Sequence, residues 1–180
     1  MIRRAAAAAI VLALALGMTT ACQPEPAPSA SGPVFANEEE AFAAAEETYR
    51  AYVDALNQVD LSDPETFEAV YAWTTGEANA GARKSFSEMQ ADGWRVAGRS
   101  VVGITEPVRA TIGDPTTAVI VACLDVSSVT LVDASGESVV DPNRPNVQEV
   151  LVDTVASTES ATGLLINNLD GSDEGTCEPE

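Results

Sequence analysis

The stretch that decides the fold is Thr117-Ala118-Val119-Ile120-Val121-Ala122-Cys123-Leu124-Asp125-Val126, an almost uninterrupted apolar run in which Asp125 is the single charge. A short apolar run rich in β-branched residues predicts a buried β-strand. Segments of similar composition lie on both sides of this run and predict further strands near 94–104, 108–112, 147–156 and 163–169. Asp133-Ala134-Ser135-Gly136 is typical of a hairpin turn. The second half of the chain therefore predicts a β-sheet.

The first half of the chain carries helical patterns instead. Asn37 is a good N-cap, three glutamates follow it, and apolar residues recur on one face to about position 59. Ser62-Asp63-Pro64-Glu65 predicts the start of a shorter helix, and 77–92 predicts a third helix that Gly93 ends. Because the helices precede the strands and do not alternate with them, the sequence predicts an α+β fold.

The N-terminus predicts an export signal. Arg3 and Arg4 precede the apolar run 5–16, and small residues lead to Cys22. The apolar run is shorter than the roughly 20 residues of a transmembrane helix. We therefore predict a lipoprotein signal peptide over 1–21, a lipidated Cys22, and a Pro/Ser-rich tether over 22–36. The alternative is a soluble secreted protein in which Cys22 carries no lipid.

The charge of the chain excludes one class of partner. It has 9 basic and 28 acidic residues, a net charge of −19, and Lys84 is its only lysine. Nucleic-acid binding depends on lysine and arginine contacts to phosphates, so we expect no nucleic-acid partner. An acidic chain is also repelled by anionic lipid headgroups. The expected partners are therefore the membrane, reached through the N-terminal lipid, and a small molecule or a cell-envelope protein.

Two cysteines remain if Cys22 is lipidated. An even number of cysteines in an exported chain predicts a disulfide, here between Cys123 and Cys177. The alternative is a reactive Cys123, but the surrounding apolar run would raise the pKa of its thiol, and the chain has no histidine to activate it. Because zinc sites depend on histidine and several cysteines, we expect no metal site, and no cofactor motif is present.

The order of these elements, with Asp63-Pro64-Glu65, Gly93-Trp94, the segment 121–126, Arg144-Pro145 and Cys177, resembles small actinobacterial lipoproteins of the NTF2-like group. The resemblance implies a curved antiparallel sheet wrapped into a cone around the helices, with a pocket between them. The implied domain covers 37–177 and leaves an acidic tail at 178–180. This fold hosts enzymes, binding proteins and assembly domains, so it does not by itself assign an activity.

Several residues are candidates for a functional site. Isomerases and dehydratases that resemble this fold use a carboxylate inside the cone, and Asp125 is the candidate for a lone general base, with Tyr71 or Tyr52 as a hydroxyl donor. A carboxylate at a strand end more commonly forms a turn.

Aromatic and basic residues are the candidates for ligand binding. Tyr71, Trp73 and Trp94 could line a small-molecule pocket, although packing in the core is the more common use of aromatic side chains. Arg99 could bind an acidic ligand or pair with a surface carboxylate.

Three functions follow as hypotheses. The leading one is a non-catalytic, membrane-tethered extracytoplasmic protein that binds a small ligand or an envelope partner. The second is a lone-carboxylate isomerase or lyase, which requires Asp125 to lie in an enclosed pocket. The third is a purely structural envelope protein, which would have a filled core and no cavity.

Overall fold

The structure, a computed structural model, describes residues 35–172 and 175–177. The predicted signal peptide at 1–21, the lipidation site Cys22, the tether up to residue 34 and the tail at 178–180 lie outside the described residues.

Helices occupy the first half of the described chain, as the sequence predicted. Helix α1 spans Glu38–Leu56, and its N-cap Asn37 accepts a hydrogen bond from the Glu40 backbone N–H at 3.0 Å. A 3-10 turn at Pro64–Phe67 leads directly into the short helix α2, Glu68–Tyr71. Helix α3 spans Gly76–Ala91.

Gly93 ends α3 as predicted. It has a φ of +70°, and its N–H donates to the Gln90 carbonyl at 3.0 Å, while the Trp94 N–H donates to the Met89 carbonyl at 2.9 Å. This pair of bonds is a Schellman motif, which favours glycine because only glycine adopts a positive φ without steric cost. The turn directs the chain from α3 into the first strand.

Within the residues that the structure describes, the second half of the chain forms six strands: β1 Arg95–Ala97, β2 Val101–Thr111, β3 Thr117–Asp125, β4 Thr130–Val132, β5 Val147–Ala156 and β6 Leu164–Gly171. Strands β2, β3, β5 and β6 form one antiparallel sheet in that order, and β1 pairs with β4 in a second, two-stranded sheet. The predicted α+β class is confirmed. The hairpin at 133–136 is also present, with the Asp133 N–H bonded to the Glu137 carbonyl at 2.9 Å.

Two strand boundaries differ from the prediction. The segment 94–104 is divided between β1 and β2 because Gly98 turns the chain with a φ of +89° and packs against the backbone of Ser128. The predicted strand at 108–112 is joined to the preceding residues through Pro107. Proline lacks an N–H and is tolerated in a strand at a sheet edge, which is where β2 lies.

The core has two parts. In the larger one, α1 packs across the sheet, and Tyr49 and Val53 of the helix contact the cluster that contains Ile120 and Ala122 of β3. The smaller one gathers Phe67, Tyr71 and Phe86 between the short helices and α3. This second cluster includes Leu131 of β4 and Trp94, which precedes β1, and it borders the site described below.

The predicted disulfide between Cys123 and Cys177 is present, with a Cα–Cα distance of 5.4 Å. It joins β3 to the C-terminal segment. Among the helices that the structure describes, none combines the length and apolar character needed to cross a bilayer.

Candidate functional site

A cavity of about 380 Å³ lies between the helices and the two-stranded sheet, and we call it the apolar cavity. The helical side of its wall comes from the end of α1, the loop after α1, and α3. The other side comes from β1, from β4 with the turn that precedes it, and from the loop before β5. The lining residues are Leu56, Asn57, Val59, Leu61, Phe86, Met89, Val96, Ala97, Gly98, Ser100, Val129, Leu131, Val140 and Arg144. Its volume falls in the range of ligand-binding pockets, about 300–1,000 Å³.

Two of the polar residues in this wall, Asn57 and Ser100, are bonded to each other. The Asn57 Nδ2 donates to the Ser100 carbonyl at 2.8 Å, and the Ser100 N–H donates to the Asn57 Oδ1 at 2.7 Å. The side-chain amide therefore pairs with the backbone as a neighbouring strand would. It fixes the end of α1 to the residue that precedes β2 and forms one side of the apolar cavity.

Arg144 is the only charged residue among those lining the cavity. Its Nη2 donates to the Val126 carbonyl at 2.9 Å and to the Val129 carbonyl at 3.2 Å, which are backbone groups of the turn between β3 and β4. These bonds hold the guanidinium in place and the turn closed. In residues 35–172 and 175–177, Arg144 has no carboxylate partner.

A larger hollow of about 600 Å³ lies beside the disulfide, at the start of β5 and the end of β6. Its walls include Gln148, Glu149, Asp170 and Cys177. Glu149 accepts hydrogen bonds from the Ser172 hydroxyl at 2.6 Å and from the Cys177 N–H at 3.2 Å, so it anchors the C-terminal segment. This hollow presents an acidic wall, whereas the apolar cavity offers apolar contacts with one cation.

Asp125 does not lie in the apolar cavity. It ends β3 and pairs across the sheet with Val101 and Val147, which are both exposed. Its Oδ1 accepts a hydrogen bond from the Ser127 N–H at 2.8 Å, and the bonds from Ser127 hold the pKa of the carboxyl below its usual value. A general base is most effective with a pKa near the working pH. The lone-base arrangement therefore finds no support in the position or the chemistry of Asp125.

Tyr71, Trp73 and Trp94 pack in the smaller core cluster, and none of them lines the cavity. The Tyr71 ring lies 6.0 Å from that of Phe86, and the Arg83 guanidinium stands 3.9 Å from the centre of the Tyr71 ring. Burial raises the pKa of Tyr71. The structure thus uses these aromatic side chains as packing, and the cluster supports the cavity wall through Phe86.

Tyr52 and Arg99 lie outside the apolar cavity as well. Tyr52 stacks on Tyr49 with 6.1 Å between ring centres, and burial raises its pKa. The Arg99 guanidinium lies 3.9 Å from Asp54, and both side chains are largely exposed to solvent. An exposed pair at this distance contributes little to stability. The structure therefore gives Arg99 a surface ion pair.

No group of three or more His, Cys, Asp or Glu side chains in the described segments is placed to hold a metal ion. The one cation that lines the cavity, Arg144, favours anionic ligands over metal ions.

Comparison with known proteins identifies no family for this chain. No family model matches it, and no curated protein matches it. Solved structures with partial likeness include a periplasmic fragment of TraM, 11% identical, with a TM-score of 0.47 over 76% of this chain and 98% of that chain. The periplasmic domain of DotI is 12% identical, with a TM-score of 0.45 over 78% of this chain and 99% of that chain. VirB8 of Agrobacterium tumefaciens is 12% identical, with a TM-score of 0.33 over 78% and 96%. At TM-scores below 0.5, these likenesses assign no function.

The residues that build the cavity were not singled out as site candidates by the sequence. Asn57 reads as a helix-end residue, and Arg144 enters only as part of the Arg144-Pro145 pair in the resemblance. The one feature of the sequence that could have indicated Arg144 as a site residue is its position in a long loop of a chain with few basic residues. Because the partners of Arg144 are backbone carbonyls 15 and 18 positions away, no local pattern could reveal its role.

Proposed function

We propose that this chain is an extracytoplasmic, lipid-anchored, non-catalytic protein that binds a small molecule in the apolar cavity. The observation that carries the proposal is the cavity itself, an apolar space of about 380 Å³ bounded by well-packed secondary structure. A purely structural protein has no need of such a space, because apolar surface that a partly open cleft leaves in contact with water is unfavourable. A bound apolar molecule removes this surface from water.

The extracytoplasmic location is supported by two features of the chain. The disulfide between Cys123 and Cys177 is typical of oxidising compartments. The N-terminal sequence has the order of a lipoprotein signal, with Cys22 followed by a tether rich in proline and serine. Mass analysis of the mature N-terminus tests the anchor. We expect a diacylglyceryl-modified Cys22, and an unmodified Cys22 would contradict it.

Binding in the cavity can be tested with a neutral apolar fluorophore such as N-phenyl-1-naphthylamine. We expect the exported chain with Cys22→Ala to bind the probe and enhance its fluorescence. Leu131 lines the cavity on β4, so the larger indole of Leu131→Trp should narrow the space and weaken probe binding at least tenfold.

The matched control for this test is Val132→Trp. Successive side chains of a strand point to opposite faces, and Val132 does not line the cavity. We expect the control to bind the probe as the parent chain does. Equal binding by Leu131→Trp and Val132→Trp would show that the cavity is not the binding site.

A further inference from the structure

We infer that the ligand of the apolar cavity is a small amphiphile with a single negative charge, and that Arg144 binds its anionic group. The inference rests on the proposed function, since it names the chemistry of the molecule that the cavity takes. Three features of the wall support it: the distribution of polarity, the unused donors of Arg144, and the number of charges.

Among the described residues of the wall, the charge is confined to Arg144. Leu61 and Phe86 are buried, with exposed fractions of 3% and 7%, and the other apolar lining residues extend this surface. The Asn57 side-chain amide pairs with the backbone N–H and carbonyl of Ser100. An apolar body therefore fits most of the wall, and a polar group of the ligand is best placed beside Arg144.

Arg144 has donors left for a ligand. A guanidinium carries five N–H groups in a planar fork that matches the geometry of a carboxylate. Both bonds to backbone carbonyls use Nη2. Nε and Nη1 form no hydrogen bond within the described part of the chain, and the side chain is half-buried at the cavity wall. The backbone bonds therefore fix the orientation of the fork while two nitrogen atoms remain available.

The number of charges limits the ligand. Arg144 is the only cation among the described residues of the wall, and the chain as a whole has a net charge of −19. One carboxylate is neutralised by one guanidinium, whereas a group with two charges leaves one unpaired in an apolar surrounding, which is costly. The cavity volume lies near the lower end of the range for ligand pockets, which favours a short apolar body over a long lipid chain.

Displacement of N-phenyl-1-naphthylamine from the exported full chain with Cys22→Ala tests the inference with decanoate, decanol and decyl phosphate. The three probes differ in charge, because a phosphate monoester carries about −1.5 to −2 at neutral pH. The alkyl chain of decanoate is one methylene shorter than those of decanol and decyl phosphate, so chain length alone would weaken decanoate binding. We expect decanoate to bind at least tenfold more tightly than decanol and more tightly than decyl phosphate. Octanoate should bind more weakly than decanoate, by about fourfold for each missing methylene.

Variants of Arg144 separate the charge from the shape of the cavity. Arg144→Gln should lose the preference for decanoate over decanol, which is a ratio measured within the same variant, and Arg144→Lys should keep most of the preference. The matched control is Arg99→Gln, which removes an arginine at the surface outside the cavity and should leave the preference unchanged.

Each outcome decides one point. Equal binding of decanoate and decanol, with probe binding still weakened by Leu131→Trp, would overturn the ligand class and leave the proposed function intact. Probe binding that is unaffected by Leu131→Trp would overturn the proposed function itself. If Arg144→Gln does not fold, the decanoate to decanol ratio of the parent chain and of Arg144→Lys decides the inference.

Discussion

Replacement of Asn57 by alanine should destabilise the fold far more than its position at a helix end suggests. The substitution removes both hydrogen bonds to Ser100, which are 2.8 and 2.7 Å long, and leaves the Ser100 N–H and carbonyl without partners. Ser100 is buried, with 9% of its surface exposed. A buried polar group that loses its partner costs about 1–3 kcal/mol, so two such groups give about 2–6 kcal/mol. This is a large share of a total stability of about 5–15 kcal/mol.

The assay is urea unfolding followed by the fluorescence of Trp73 and Trp94, which both pack on the smaller core cluster. Asn57→Ala should lower the midpoint and leave the slope unchanged, because the surface exposed on unfolding stays the same. The matched control is Gln58→Ala. Gln58 is exposed and donates a single hydrogen bond to the Asp54 carbonyl at 3.0 Å, so its loss should cost less than about 0.5 kcal/mol.

A second substitution at this position adds a pH dependence of known sign. In Asn57→Asp, one oxygen of the new carboxylate still accepts a hydrogen bond from the Ser100 N–H. The other oxygen faces the Ser100 carbonyl oxygen and is repelled by it when the carboxyl is ionised, whereas the protonated carboxyl donates a hydrogen bond to that carbonyl. The folded state therefore favours the protonated form and raises the pKa of the new carboxyl. The stability that the protonated carboxyl contributes is present below about pH 4, and it is lost as the pH rises through the pKa of this carboxyl in the folded state. Asn57→Asp should thus gain stability relative to Asn57→Ala on acidification.

An Asn57→Ala variant whose unfolding free energy lies within about 0.5 kcal/mol of the Gln58→Ala control would contradict the role of the two hydrogen bonds. A constant difference in stability between Asn57→Asp and Asn57→Ala from pH 4 to pH 8 would contradict the raised pKa.

Three further predictions concern stability and can be measured by urea unfolding. Gly98→Ala should lower the free energy of unfolding by several kcal/mol more than Gly136→Ala does. Both glycines have a φ near +90°, but only the methyl group at position 98 would meet a backbone carbonyl. Equal losses for the two variants would contradict this contact. Joint replacement of Cys123 and Cys177 by alanine should lower stability by about 4 kcal/mol in the chain-entropy model for a separation of 54 residues, and a reduced parent chain should show the same loss. Burial raises the pKa of Tyr49 above its ordinary value of 10.0, so stability should fall as the pH rises above about 10, and Tyr49→Phe should reduce that fall.

The sequence by itself determined the local elements of this protein. The cap at Asn37, the end of α3 at Gly93 and the hairpin at 133–136 depend on hydrogen bonds between residues at most five positions apart, which a local pattern can encode. The apolar run 117–126 determined β3 because a strand buried on both faces requires apolar residues at every position. The disulfide followed from the cysteine count and needed no geometry.

Only the tertiary structure decided which residues form the candidate site. Asp125, the most promising carboxylate in the sequence, ends its strand in a turn with Ser127, and the aromatic candidates are used for packing. The apolar cavity exists because β1 pairs with β4 across from α3, a pairing between segments about 35 residues apart. Arg144 reaches its wall through backbone carbonyls of another turn. Such contacts arise from the packing of distant segments, and the residues involved carry no local pattern that would indicate them.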